Sequence, residues 1–207
     1  MTAPALLERQ LVHLRRRGYR LLAADQLVDR SGAGRPPNRT AVVTFDDGWL
    51  DGLTVAAPLL NRLGVRGTFF VCPGLLGQRF GLVDGPAGQL LTKDQVAELA
   101  DAGMEIGAHS MTHPDLRLID DDQLAWELGE GKRRIEEITA KPCRTLAYPF
   151  GFHDRRVRAA AEQIGFELAF AWSPGPWKRY AMPRLPAPPR HGARRLALKM
   201  LGVRRRG

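Results

Sequence analysis

Residues 41–48 read Ala-Val-Val-Thr-Phe-Asp-Asp-Gly, an apolar run that ends in two adjacent carboxylates. The β-branched residues of Ala41–Phe45 predict a buried strand. Gly48 indicates a tight turn directly after the two acids, Asp46 and Asp47. Adjacent acids are commonly solvated or capping residues, but two carboxylates this close repel each other and are costly to keep ionised without a cation. The stretch therefore predicts that Asp47 binds a metal ion and that Asp46 is free to accept a proton from water.

On both sides of this stretch, short apolar strands alternate with amphipathic helices. Helices are predicted at Leu6–Arg17, Ala24–Asp29, Val55–Leu63, Lys93–Ala102, from a cap at Asp120 or Asp121 to Thr139, and from Asp154 to Ile164; the other strands are predicted at Gly67–Val71, Met104–Ala108, Thr145–Tyr148 and Glu167–Ala171. Strands that alternate with helices in this way pair in parallel through right-handed crossovers. The order predicts an α/β fold, either an α/β barrel or a doubly wound sheet.

Two further polar motifs follow predicted strands at their C-terminal ends. Residues 109–114 read His-Ser-Met-Thr-His-Pro, and residues 147–151 read Ala-Tyr-Pro-Phe-Gly. In parallel α/β folds the C-terminal strand ends share one face, and that face carries the active site. The three motifs are therefore expected to converge.

The two histidines of the second motif form a candidate metal pair. Pro114 disfavours helical geometry at His113, so His109 and His113 lie on a strand-to-turn segment and both imidazoles can face one ion. With a carboxylate as third ligand they make a His₂-carboxylate set with open positions, the pattern of a catalytic metal. Lone histidines such as His13 and His153 are more often satisfied surface or core residues.

The third motif is more often a rigid turn than a catalytic element. Pro149 has no N–H, so the first backbone donor after the strand belongs to Phe150. An amide fixed there would help to stabilise an oxyanion beside the metal. Tyr148, Pro149 and Phe150 are accordingly predicted to contact the substrate.

Together, these residues resemble the NodB-homology polysaccharide deacetylases, which form carbohydrate esterase family four. Residues 44–48 resemble the first motif of that family, residues 109–113 the second and residues 148–151 a variant of the third. The similarity runs from roughly Leu6 to Pro186. It implies a deformed (β/α) barrel and the hydrolysis of an acetyl group from an N-acetylated or O-acetylated sugar.

The same resemblance implies a role for each site residue. Asp46 would be the base, and Phe150 would give its amide to the oxyanion. The ligands of the divalent metal, for which Zn²⁺ is favoured, would be Asp47, His109 and His113. Deformylation or O-deacetylation of a lipid-linked or acetylated sugar on the same site is an alternative, and a non-catalytic carbohydrate-binding barrel is another.

The chain departs from the family pattern at three places. Many members carry an arginine before the third-motif proline, where this chain has Ala147 and Tyr148; instead, residues 182–185, Met-Pro-Arg-Leu, resemble a later segment of one subgroup, which makes Arg184 the expected catalytic partner of Asp46. The late Leu-x-His motif is absent, so the general acid is unassigned. A first strand that related chains place before the first helix is also missing, which would leave the barrel open at one seam.

The net charge of +9 belongs to the C-terminal part of the 207-residue chain. Ten basic and no acidic residues follow Glu167, which leaves 21 basic against 22 acidic residues in the rest of the chain. A nucleic-acid surface over the whole domain is therefore disfavoured. The expected division is a deacetylase domain at 1–189 and a basic tail at 190–207, which is either a disordered terminus or a peripheral contact with an anionic membrane. Because no signal peptide or spanning run is seen, the predicted location is cytoplasmic.

Overall fold

The computed structural model describes residues 3–31, 37–81, 87–172 and 177–185, so the basic tail lies outside the described residues. The helices are α1 Pro4–Arg16, α2 Ala24–Ser31, α3 Ala57–Arg62, α4 Lys93–Asp101, α5 Asp121–Thr139 and α6 Arg155–Gln163. The strands are β1 Arg20–Leu22, β2 Thr40–Val42, β3 Thr44–Phe45, β4 Thr68–Val71, β5 Arg79–Gly81, β6 Ala87–Gln89, β7 Glu105–Ala108, β8 Thr145–Ala147, β9 Leu168–Ala171 and β10 Met182–Pro183. In these ranges no helix is both long enough and apolar enough to cross a bilayer.

Parallel strands form a curled sheet around the centre of the molecule. Six of them pair in the order β10-β9-β8-β7-β4-β3, and β1 pairs with β2. Val43 joins the two groups, because its N–H donates to the carbonyl of Leu22 (3.1 Å) and its carbonyl accepts from the N–H of Thr68 (2.9 Å). The parallel order therefore continues from β10 to β1, while no ladder joins those two edge strands among the described residues.

The two faces of the sheet carry separate hydrophobic clusters. The outer cluster joins strand residues such as Phe69 and Leu146 to the buried sides of α3, α4, α5 and α6. On the inner face Phe70 and Phe170 pack against Leu27 of α2. Because α2 follows the edge strand β1, it fills the interior beside the open seam. This is the deformed barrel that the resemblance implies, with the open seam that the missing first strand predicts.

A buried carboxylate ties α2 to the sheet at the end opposite the polar motifs. Glu105 opens β7 and accepts hydrogen bonds from the hydroxyls of Thr68 (2.5 Å) and Thr145 (2.6 Å). It also accepts from the backbone N–H of Asp25 (2.9 Å) in the first turn of α2, where an anion is stabilised by the helix dipole. Burial, followed by the charge of Asp25, raises the pKa of Glu105, and the hydrogen bonds act against that shift.

Replacing Glu105 by alanine is expected to lower the free energy of unfolding by about 3 kcal/mol. Each buried donor that loses its acceptor costs about 1–3 kcal/mol, and removal of the buried carboxylate offsets part of that cost. The melting temperature should fall by about 6–12 °C, at about 2–4 °C per kcal/mol for a chain of this size. Thermal unfolding followed by circular dichroism measures the change. The exposed Glu98→Ala on α4 is the control, and an equal melting temperature for both variants would contradict the role of Glu105.

Most predicted elements are present, with differences at their ends. A capping box starts α4: the Thr92 hydroxyl accepts from the N–H of Gln95, and the Gln95 side chain accepts from the N–H of Thr92. The predicted helix at Val55–Leu63 instead begins as a π-helical turn at Gly52–Ala56 and continues as α3. The sequence did not predict β1, β10 or the β5–β6 hairpin, because two or three residues are too short to show a strand period.

Candidate metal centre

The polar motifs follow strands whose C-terminal ends lie on one edge of the curled sheet. Asp46 and Asp47 come directly after β3, and His109 directly after β7. The Oδ1 atom of Asp47 lies 3.4 Å from Nε2 of His109 and 3.4 Å from Nε2 of His113. The three ligand atoms all lie within 4.8 Å of one another. Residues that are 66 positions apart in sequence thus share one site.

Neighbouring groups fix the orientation of each candidate ligand. The Nδ1 atom of His109 lies 2.7 Å from the carbonyl oxygen of Ala147, which can only accept, so the proton is on Nδ1 and Nε2 presents a lone pair. The ring of His113 is held by edge contacts with Phe80 and Phe150, whose centroids lie 5.5 and 4.6 Å away. The indole N–H of Trp49 donates to Oδ2 of Asp47 (3.0 Å), which leaves Oδ1 facing the imidazoles.

This donor set fits a divalent cation. At bond lengths of about 2.0–2.2 Å, tetrahedral ligands of zinc lie about 3.3–3.6 Å apart, and the two measured distances of 3.4 Å agree with that spacing. Burial acts to raise the pKa of Asp47, but when no metal is bound and the imidazoles carry a proton on Nε2, hydrogen bonds and charge from His109 and His113 outweigh burial and hold that pKa well below its usual range. Three protein ligands would leave a fourth coordination position for a water or substrate atom.

Asp46 points to a different partner from Asp47. Its Oδ1 lies 2.6 Å from Nη1 of Arg184, and both side chains are largely buried. The strand β10 brings Arg184 to this position, because Pro183 pairs with Ala171 and the N–H of Arg184 donates to the Ala171 carbonyl (3.0 Å). The guanidinium stays charged at any working pH, so it orients Asp46 without taking or giving a proton.

The backbone is strained where these residues meet. Six non-glycine residues in the described ranges have a positive φ, and four of them lie in the motifs: Asp47 (70°), Ser110 (61°), His113 (67°) and Phe150 (57°). Each such conformation costs about 1–3 kcal/mol and persists only where its surroundings enforce it. Strain of this kind collects at ligand-binding sites, which sets these turns apart from ordinary loops.

The third motif divides between the cleft and the core. Phe150 is 39% exposed, and its ring lies between the rings of His113 and Phe152, a residue that is 45% exposed. Pro149 is buried in the turn. The side chain of Tyr148 is fully buried in the outer cluster, where its hydroxyl donates to the carbonyl of Tyr180 (3.0 Å) and burial raises its pKa. The structure therefore does not bring the Tyr148 side chain, predicted to contact substrate, to the cleft.

Sequence reasoning missed three residues around the candidate ligands. Trp49 is adjacent to the first motif, and its position beside Asp47 was a usable signal. Phe80 comes from the unpredicted β5–β6 hairpin. Glu127 lies on α5 and contacts the backbone of the second motif, and no local sequence signal marks it.

His153 was a further candidate for the unassigned general acid, and its surroundings do not favour that role. His153 lies against the ring of Tyr148, and its Nδ1 is 2.9 Å from Arg158. Burial, together with the charge of Arg158, lowers the pKa of His153. His191 lies outside the described residues.

Comparison with known proteins supports the family resemblance of the sequence motifs. Relatives include YxkH of Bacillus subtilis (26% identical; 75% of this chain and 54% of that protein) and the peptidoglycan-N-acetylmuramic acid deacetylase PdaA of the same organism (29% identical; 75% and 55%). The chain thus spans about half the length of these relatives. The fold is similar to that of the Streptococcus pyogenes deacetylase PplD (TM-score 0.83, 23% identical; 96% of this chain and 87% of that one), which confirms the deformed barrel. A model of the polysaccharide deacetylase family matches residues 33–169, and the chain belongs to that family.

Proposed function

We propose that the chain is a metal-dependent deacetylase that hydrolyses the N-acetyl group of an N-acetylated sugar. The observation that carries the proposal is the meeting of Asp47, His109 and His113 at one point, with a separate carboxylate, Asp46, on the adjoining residue. Membership of the family supports a hydrolase of carbon–nitrogen bonds other than peptide bonds. The residues fit a divalent cation, and the His₂-carboxylate set favours Zn²⁺.

Each residue of the cleft has a chemical role in this proposal. Asp47, His109 and His113 hold the cation, which when bound supplies a Lewis acid and lowers the pKa of a water towards about 7. Asp46 accepts a proton from the water as the oxygen of that water attacks the acetamide carbonyl. The Phe150 amide donates to the oxyanion. The C–N bond then breaks, Asp46 returns its proton to the leaving nitrogen, and acetate and a free amine result.

The exposed aromatic rings supply a surface for the sugar. Phe150 and Phe152 lie with their centroids 5.9 Å apart and extend from His113 towards solvent. The guanidinium of Arg117 stacks on Phe152 at 4.2 Å from the ring centroid. Flat apolar faces beside a polar group suit a pyranose ring, which has an apolar face and a polar edge.

Acetate release across a substrate panel tests the proposal. The panel contains chitin oligomers, peptidoglycan fragments, a lipid-linked N-acetylhexosamine and acetylated xylan, each measured with zinc and after chelation. Zinc-dependent acetate release from an N-acetylated sugar is expected. Release from acetylated xylan alone would support O-deacetylation instead, and stoichiometric zinc without any turnover would support a non-catalytic barrel.

Replacing Arg184 by alanine is expected to lower kcat by about 10–100-fold, because a hydrogen bond to a charged group contributes about 1.5–3 kcal/mol. Arg184→Lys should fall between that variant and the native protein, since lysine keeps the charge but not the planar fork. Steady-state kinetics with a zinc assay measure both. The exposed Arg133→Ala on α5 is the control, and an unchanged kcat for Arg184→Ala would remove Arg184 from the reaction.

A further inference from the structure

A buried carboxylate on α5 holds the segment between the two histidines. Oε2 of Glu127 accepts the backbone N–H groups of Met111 (2.8 Å) and Thr112 (2.9 Å). Its other oxygen accepts the hydroxyl of Thr112. Glu127 is only 1% exposed, so these hydrogen bonds to an anion form away from water, where they are strong.

The segment needs such support because its backbone is not in a relaxed conformation. Ser110 and His113, on either side of the two bonded amides, both have a positive φ. Inside this turn the N–H of His113 donates to the hydroxyl of Ser110 (3.0 Å). The direction of the His113 ring thus depends on the turn, and the turn depends on an acceptor for the amides of Met111 and Thr112.

The helix is also shaped to receive this turn. Gly131 lies one turn after Glu127, and a Cβ there would lie 3.1 Å from the carbonyl carbon of Ser110 and 3.2 Å from the nitrogen of Met111. The absence of a side chain allows the backbone of the turn to rest on α5 within reach of the Glu127 carboxylate. Glu127 therefore binds the amides of the turn, and Gly131 leaves the space in which the turn packs against α5.

We infer that Glu127 is a positioning residue for the metal centre: it fixes residues 110–113 so that His113 faces the same point as His109 and Asp47. This inference rests on the metal site of the proposed function. Glu127 touches neither metal nor substrate in this account. It acts through the turn, as outer groups that orient metal ligands do.

Glu127→Gln tests the inference with little change of shape. A glutamine has one acceptor oxygen and places an NH₂ group against donors, so the turn loses part of its support. The dissociation constant for zinc, measured by competition with a chelator, should rise by about 10–100-fold, the range found for such outer groups. The visible absorption spectrum of the cobalt-loaded protein should also change, because the ligand geometry changes.

A milder variant and a matched control separate this role from general stability. Thr112→Val removes only the contact between the Thr112 hydroxyl and Glu127 and keeps the fold, and it should weaken zinc binding by a smaller factor of about two to five. Glu137→Gln removes the charge of an exposed glutamate on the same helix and should leave zinc affinity and the cobalt spectrum unchanged. A cooperative thermal unfolding transition of each metal-free variant, followed by circular dichroism, shows whether that variant is folded.

The outcomes distinguish the two proposals. If native protein binds no stoichiometric zinc, the metal centre itself fails, and this inference fails with it. If native protein binds zinc and folded Glu127→Gln and Thr112→Val keep its affinity and cobalt spectrum, only the positioning role is contradicted. If Glu127→Gln does not fold, Thr112→Val decides: weaker zinc binding supports the role and unchanged binding overturns it.

Discussion

Asp46→Asn is expected to lower kcat by about 10³–10⁴-fold, near the upper part of the range for loss of a general base. Asparagine has the shape of aspartate but cannot accept the proton of the attacking water. Zinc content should stay at one ion per chain, because Asp46 pairs with Arg184 and is not among the three converging ligands. Initial rates on the preferred substrate and zinc analysis of the same sample measure the two quantities.

The control for this substitution is an aspartate with a similar arginine contact away from the cleft. Oδ1 of Asp29 lies 2.6 Å from Nη1 of Arg144, the same distance as between Asp46 and Arg184. Asp29→Asn should leave kcat within about twofold of native, as surface substitutions generally do. If Asp46→Asn keeps native kcat, another group is the base.

His113→Ala is expected to weaken zinc binding by about 10²–10³-fold, because structural zinc sites bind by about 10–16 kcal/mol, or about 2.5–4 kcal/mol for each of four ligands. With zinc equimolar to protein, turnover should fall by about 10³-fold, since a Lewis acid contributes several kcal/mol to the barrier. Chelator competition and initial rates at limiting zinc measure these effects.

His13→Ala on α1 is the matched control for the histidine substitution. The Nε2 atom of His13 is buried and lies outside the cluster of candidate ligands. Its removal should leave the zinc dissociation constant unchanged. Native zinc affinity in His113→Ala would show that His113 is not a ligand, whatever the activity.

The sequence predicted the long elements and the three residues that converge at the candidate metal centre because their signals are local. The capping box at Thr92 and the β-branched run before Asp46 are each complete within a few residues. The convergence of Asp47, His109 and His113 was predictable because parallel strands place their C-terminal ends on one edge, so adjoining motifs meet.

Other parts of the site depend on contacts that leave no local trace. Arg184 and Asp46 are 138 residues apart, and only the resemblance of residues 182–185 to a family segment suggested their pairing. In the sequence, nothing distinguishes Glu127 from the other residues of α5. In the structure its partners are backbone amides 15 and 16 positions earlier. The side chain of Tyr148 lies in the outer cluster, and a position next to a motif does not show which way a side chain faces.

The crystal structure of zinc-loaded protein, with anomalous scattering recorded at the zinc edge, tests the central claim most directly. One strong peak is expected about 2.0–2.2 Å from Nε2 of His109, Nε2 of His113 and Oδ1 of Asp47, with Asp46 on Arg184 and outside bonding distance. A zinc ion bound elsewhere, or one that contacts Asp46 in place of Asp47, would contradict the account.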